Sequence, residues 1–147
     1  GNMIYTVLTK KAMKICFEIH KDQVDKSGLP YVFHPFHLAE QMDDEYSVVV
    51  ALLHDVVEDG EISLDELRRE FPSEIVDAIA LMTHDINVDY FEYVKKIKKN
   101  ELACKVKLAD LQHNSDRTRL EMITAKDELR YQKYQKAMEI LRNKEQL

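Results

Sequence analysis

The chain has 147 residues, a formal net charge of −6, 45% apolar residues and 33% charged ones, which is enough for one domain around one core. An acidic balance of this kind excludes non-specific attraction to nucleic acid, and no apolar run approaches the roughly 18 residues of a membrane span. With three Gly, three Pro and no Trp, breakers are scarce, which favours long helices over a many-stranded sheet.

Gly1 and Asn2 read as an expression scar ahead of Met3, so a single domain is expected over 3–147, with no secretory leader. Helical spacing then runs along most of the chain. Met13, Cys16, Phe17 and His20 fall on one face of a helix expected from about Lys10 to Lys21. Lys26-Ser27-Gly28-Leu29-Pro30 is a turn, and Pro35 can open a short helix to about Met42. Asp43-Asp44 precedes a helix expected over Glu45–Val57, whose stretch Val48 to Leu53 is apolar all round and marks it as the buried centre. Ser63 and Glu66 form a capping box for a helix reaching Phe71, and Pro72 begins the next. Asp89–Lys99 is amphipathic, Glu101 to Asn114 follows, and Thr124 can cap a last helix through Leu141. The expected fold is an all-α bundle of about eight helices.

The chemistry sits in His54-Asp55-Val56-Val57-Glu58-Asp59, four ionisable residues in six positions at the end of the most apolar helix. Buried charge is expensive unless it is paired or bound to something. Neighbouring helical positions lie about 100° apart, so His54 and Asp55 can flank one groove and reach a common cation. Two ligands are too few, and His34, before Pro35, and Asp110, ending the apolar Val106–Ala109 stretch, can supply two more. Two imidazoles and two carboxylates suit Mn²⁺, Fe²⁺ or Zn²⁺ better than Mg²⁺. On its own the 54–59 segment could be a solvated helix end; His34 and Asp110 argue against that.

Three blocks carry a family resemblance: Lys26-Ser27-Gly28-Leu29-Pro30-Tyr31-Val32-Phe33-His34-Pro35, then Ala51-Leu52-Leu53-His54-Asp55-Val56-Val57-Glu58-Asp59, then Lys107-Leu108-Ala109-Asp110 with Asn114. In this order and spacing they resemble the hydrolase domain of the RelA/SpoT proteins, within the HD superfamily, from about Ile15 to Arg119. The resemblance implies an HD-domain helical bundle and a 3′-pyrophosphohydrolase of guanosine 3′,5′-bis(diphosphate). It implies one Mn²⁺ on His34, His54, Asp55 and Asp110, with Glu58 and Asp59 beside the attacking water and Asn114 at the nucleotide or its phosphates. The cation would supply water activated near neutral pH and charge neutralisation at phosphorus, and Glu58 or Asp59 could take the water's proton.

A polyanionic substrate also needs cations, and Lys26, Lys105, Lys107, Arg117 and Arg119 lie near these segments. One position departs from the family pattern. Asp25 stands where the larger hydrolases carry Arg, and a carboxylate there is expected to repel a polyphosphate. The length leaves no room for a synthetase domain, so synthesis of the nucleotide is not expected.

The remaining polar residues read as structural. His20, His37 and His84 are expected in packing or at the surface, His113 behind the ligands or in the core, and Asn114 could equally be a helix C-cap. Tyr90, Phe91 and Tyr93 read as packing, and Lys95, Lys96, Lys98 and Lys99 as a solvated face. Cys16 and Cys104, with no CxxC partner, read as free thiols of a reducing cytoplasm. The partner expected is a small nucleotide, with no nucleic acid and no membrane, and the oligomeric state is left open. The competing functions are another HD-type nucleotide phosphohydrolase, such as a 5′-nucleotidase, and a non-catalytic nucleotide-binding helical domain.

Overall fold

The computed structural model describes residues 1–59 and 62–143, the Asp59 side chain excepted. Local side-chain bonds set most of the helix starts. Thr6 and Thr9 satisfy each other's backbone N–H groups to open α1 (Val7–His20). Pro35 lies in the first turn of α2 (Phe33–Glu40), where its missing N–H has no intrahelical partner to lose. Asp44 accepts the Ser47 N–H at 2.8 Å and starts α3 (Glu45–Leu53). The expected Ser63–Glu66 box is present and opens α5 (Leu64–Glu70), which follows the short α4 (Val56–Asp59). Pro72 precedes α6 (Ser73–Met82), Asp89 caps α7 (Tyr90–Lys98) and Asn100 caps α8 (Glu101–Asn114). A 3₁₀ turn (Arg117–Arg119) leads to α9 (Ala125–Arg142), capped by Thr124 with Asp127. The fold is all-α.

Among the described residues this makes nine α-helices, against about eight expected. The difference is a break in the central helix. The pattern predicted one helix over Glu45–Val57, whereas α3 ends at Leu53 and α4 starts at Val56. At the break, His54 Nδ1 donates to the Ala51 carbonyl at 2.7 Å, the group a continuing helix offers to the Asp55 N–H. The break therefore falls on the His-Asp doublet itself.

Ser47 to Leu53 are completely buried, as the all-round apolar sequence requires. α1, α2, α6 and α8 surround α3, and α9 lies across α7 and α8. Burying each of Leu52 and Leu53 contributes about 1.5–3 kcal/mol. The core thus fixes α3 from all sides and presents its C-terminal end, His54 and Asp55, to α2 and α8. Among the described residues no helix is long and apolar enough to cross a membrane.

The 23–31 turn completes the frame. Val24 and Pro30 form an isolated antiparallel bridge, and the Tyr31 N–H donates to the Gln23 carbonyl at 2.8 Å. Gly28 closes the turn at φ +84°, a conformation strained for residues with a Cβ. The Asp25 carboxylate accepts from the Ser27 N–H, the Ser27 hydroxyl and the Leu29 N–H. Closing this loop sets Tyr31 beside the His-Asp doublet.

Candidate metal centre

α2 supplies His34, the end of α3 supplies His54, and α8 supplies Asp110. All three are buried, and each offers a ligand atom within 4.8 Å of the other two. His34 Nε2 lies 2.9 Å from Asp110 Oδ1, and His54 Nε2 lies 3.6 Å from the same oxygen and 3.3 Å from Asp55 Oδ2. Because the Ala51 carbonyl can only accept, His54 carries a proton on Nδ1 and turns Nε2 inward, the one ring nitrogen it can offer to a cation. That buried atom has no hydrogen-bond partner among the described residues.

Electrostatics argue for a cation at this point. Burial works against a charged His54, but the Asp55 and Asp110 carboxylates reverse the effect and raise the imidazole well above its ordinary value. Burial opposes charge on Asp110 as well, and Lys107, His34 and His54 together hold its carboxyl well below the usual range. Burial acts the same way on Asp55, where His54 and the Tyr31 hydroxyl outweigh it and lower the carboxyl. A buried carboxylate, Asp110, and a half-buried one, Asp55, facing an imidazole nitrogen are a donor set that a divalent metal satisfies. The residues present fit one.

The groups behind the ligands are equally defined. Lys107 Nζ holds Asp110 Oδ2 at 2.9 Å, and Asn114 Nδ2 donates to Asp110 Oδ1 at 3.0 Å. The Tyr31 hydroxyl donates to Asp55 Oδ2. His113 Nδ1 lies 2.7 Å from His34 Nδ1, with the rings 7° from parallel. Burial, then Arg119, His34 and His37, push His113 down to about 4, so it is neutral near pH 7.

A cavity of about 340 Å³ opens beside this cluster, lined by the 24–27 loop, Tyr31, Asn114, the 3₁₀ turn and α9. Tyr31 and Asn114 belong to both, since each bonds a carboxylate of the cluster and lines the cavity. Lys26, Arg117, Arg119 and Arg130 bring cations to the walls, and Tyr131 and Tyr134 bring aromatic rings. Arg119 is paired with Asp25 at 3.0 Å, Arg130 with Asp127 at 2.9 Å, and Arg117 with Glu128 at 2.5 Å. Lys26 has no carboxylate within ion-pair distance among the described residues. Burial and the nearby Arg130 and Lys133 lower its ammonium pKa, so an anion in the cavity would stabilise its charge.

The structure brings His34, His54, Asp55, Asp110 and Asn114 together and sets Lys26 and Arg117 on the cavity wall. Lys107, expected at the substrate, lies instead under Asp110, its ammonium 5.4 Å from the Tyr93 ring centroid. The expected repulsion by Asp25 is also corrected, because three hydrogen bonds and Arg119 engage its carboxylate. Glu58 is exposed on α4, where one carboxylate oxygen accepts the His84 N–H at 2.9 Å. The Asp59 side chain lies outside the described residues. His84 closes its own loop by bonding the Val88 carbonyl and packs on Tyr93, a structural role. Tyr31, Arg130 and Tyr134 went unnoticed in the sequence as site residues. Tyr31, three residues before His34, was within reach of a local argument, whereas α9 reads as an ordinary amphipathic helix.

The chain is similar to known proteins on two counts. It is 36% identical over 83 residues to the guanosine-3′,5′-bis(diphosphate) 3′-pyrophosphohydrolase of Borreliella burgdorferi, a match over 52% of this chain and 12% of that protein. It is 32% identical over 118 residues to the GTP pyrophosphokinase of Streptomyces coelicolor, over 71% of this chain and 14% of the relative. A solved structure of a metazoan ortholog of SpoT that hydrolyzes ppGpp superposes with a TM-score of 0.75, at 23% identity, over 96% of this chain and 89% of that one. This is a RelA/SpoT-like HD domain. No family model matches the chain. The RelA/SpoT-like domain spans only 12 to 14% of the length of those two curated relatives, and its likeness to the SpoT ortholog is one of fold.

Proposed function

We propose that this protein is a metal-dependent hydrolase of guanosine 3′,5′-bis(diphosphate) or a close relative, releasing pyrophosphate from the 3′ position. The single observation that carries the reading is the sharing of Tyr31 and Asn114 between the buried His/Asp cluster and the cationic cavity. A nucleotide in that cavity would have its phosphates next to the cluster. The relatives' names supply the substrate class.

His34, His54, Asp55 and Asp110 would hold the metal, with Mn²⁺ favoured for a mixed nitrogen and oxygen donor set. Bound there, it supplies water of lowered pKa and neutralises charge at phosphorus. The chain's own residues do the rest. Lys107 and Asn114 fix the Asp110 carboxylate, and Tyr31 fixes Asp55. Lys26, with Arg117 and Arg130, would draw a polyphosphate into the cavity against the net charge of −6. The water oxygen adds to the ribose-proximal phosphorus of the 3′ group as the bond to the 3′ oxygen breaks. One water proton passes to Glu58 or Asp59 and from there to the departing 3′ oxygen, which leaves as a hydroxyl, while the other water proton stays with the released pyrophosphate. The His84 N–H holds one oxygen of Glu58, which orients the carboxylate for that role.

The test is pyrophosphate release from ppGpp by the Mn²⁺-loaded protein beside a His54→Ala/Asp55→Ala variant. Release by the wild type alone is expected. Retained metal with no release would move the substrate to another phosphorylated nucleotide, and 5′-monophosphates would then be assayed.

A further inference from the structure

A neutral imidazole that ligates through one nitrogen must carry its proton on the other, and that N–H needs an acceptor in a buried site. His54 meets this rule with the Ala51 carbonyl. At His34, the group 2.7 Å from Nδ1 is the Nδ1 of another imidazole, His113.

Two neutral imidazole nitrogens at hydrogen-bond distance share one proton, so only two arrangements exist. In the first, His34 donates from Nδ1 to His113, and the His34 Nε2 lone pair points at Asp110 and the inward nitrogen of His54. In the second, His113 donates, and His34 must carry its proton on Nε2, against Asp110 Oδ1 at 2.9 Å. Only the first leaves Nε2 free to bind a cation.

We propose that His113 is a positioning residue of the metal centre, accepting the Nδ1 proton of His34 and so holding the His34 Nε2 lone pair toward the site. This rests on the metal-site reading above. The surroundings fix His113 in that role. It sits one turn after Asp110 on α8, its ring packs between His34 at 4.9 Å and His37 at 4.4 Å, and its own carbonyl accepts from Arg119 at 2.9 Å. Position 113 therefore requires a side-chain acceptor at the place of Nδ1, a demand that packing alone does not make.

The experiment is calorimetric titration of the purified metal-free protein with MnCl₂. Wild type, His113→Leu, His113→Asn, His113→Gln and His54→Ala are compared, each checked by circular dichroism. Asn places an oxygen near the position of Nδ1, whereas Gln places it near that of Nε2. Leu and Gln are expected to weaken Mn²⁺ binding by roughly 10- to 100-fold, with Asn closer to wild type than either. If Leu proves unfolded, the contrast between Asn and Gln decides alone. Equal affinity in wild type and Leu, or in Asn and Gln, overturns the inference. His54→Ala separates this from failure of the metal site: if it still binds, the site itself falls and takes this inference with it. If it loses Mn²⁺ while Leu and Gln keep it, only the role of His113 falls.

Discussion

Asp25 and Arg119 are joined by an ion pair of 3.0 Å across the wall of the cavity, and Arg119 also donates to the His113 carbonyl. One guanidinium thus ties the 23–31 turn to the end of α8, which carries Asp110 and Asn114. The pair turns a carboxylate that would repel phosphate into a strut.

The strut predicts an acid-sensitive contribution to stability. Burial opposes the Asp25 charge, but the Ser27 and Leu29 donors and Arg119 outweigh it and lower the carboxyl below its ordinary value. A depressed carboxyl stabilises the fold above its unfolded pKa of about 4 and loses that contribution as the pH falls through the folded value. Asp25→Asn should be less stable than wild type by about 1–3 kcal/mol at pH 7. That gap should narrow as the pH falls below about 4. Urea melts on both sides of that pH measure it; a gap that is constant with pH would rule the strut out.

Lys26 is the cavity cation whose removal should touch binding most cleanly, since no ion pair holds it among the described residues. Lys26→Met is expected to raise KM for ppGpp about tenfold or more while kcat changes by less than about threefold, the pattern of lost binding shared by ground and transition states. Steady-state kinetics separate the two. An unchanged KM would place the polyphosphate elsewhere.

Lys107 balances the charge of Asp110 inside the protein, with side chains 12% and 6% exposed. Removing one member of such a pair leaves an uncompensated buried charge, at a cost of about 3–5 kcal/mol. Lys107→Met should therefore destabilise the metal-free protein strongly, and excess Mn²⁺ should restore part of the melting temperature. Thermal melts with and without Mn²⁺ test this. A variant as stable as wild type without metal would show that Asp110 does not depend on Lys107.

The Tyr31 hydroxyl bonds Asp55, and its ring packs 5.5 Å from His34. Tyr31→Phe keeps the ring and deletes the bond, so folding should be retained while Mn²⁺ affinity falls roughly tenfold. Titration with MnCl₂ gives the answer, and undiminished affinity would exclude Tyr31 from the support of the metal.

The sequence by itself determined the helical class, most helix starts and the core. Caps such as Ser63 with Glu66, and Thr124 with Asp127, act within a few residues, and the apolar run Val48–Leu53 leaves a helix no exposed face. The candidate metal ligands His54, Asp55 and Asp110 were legible because ionisable residues stand out at the ends of apolar helical stretches, whereas His34, a turn histidine by itself, was legible only through the wider pattern of the three blocks. Only the tertiary structure decided what surrounds them. His34 and Asp110 are 76 positions apart and Asp25 and Arg119 are 94 apart, so no local pattern could pair them. Lys107 reads in the sequence as a cation for the substrate because a lysine's environment is not written in its neighbours, and it is buried because α8 turns it toward Asp110 and Tyr93. The break at His54 was hidden as well, since an apolar pattern of period 3.6 persists through a turn whose side chain has taken a backbone acceptor. Periodicity and capping are short-range and survive in one dimension, whereas pairing of charges and hydrogen bonds depends on which faces the folded helices turn to each other.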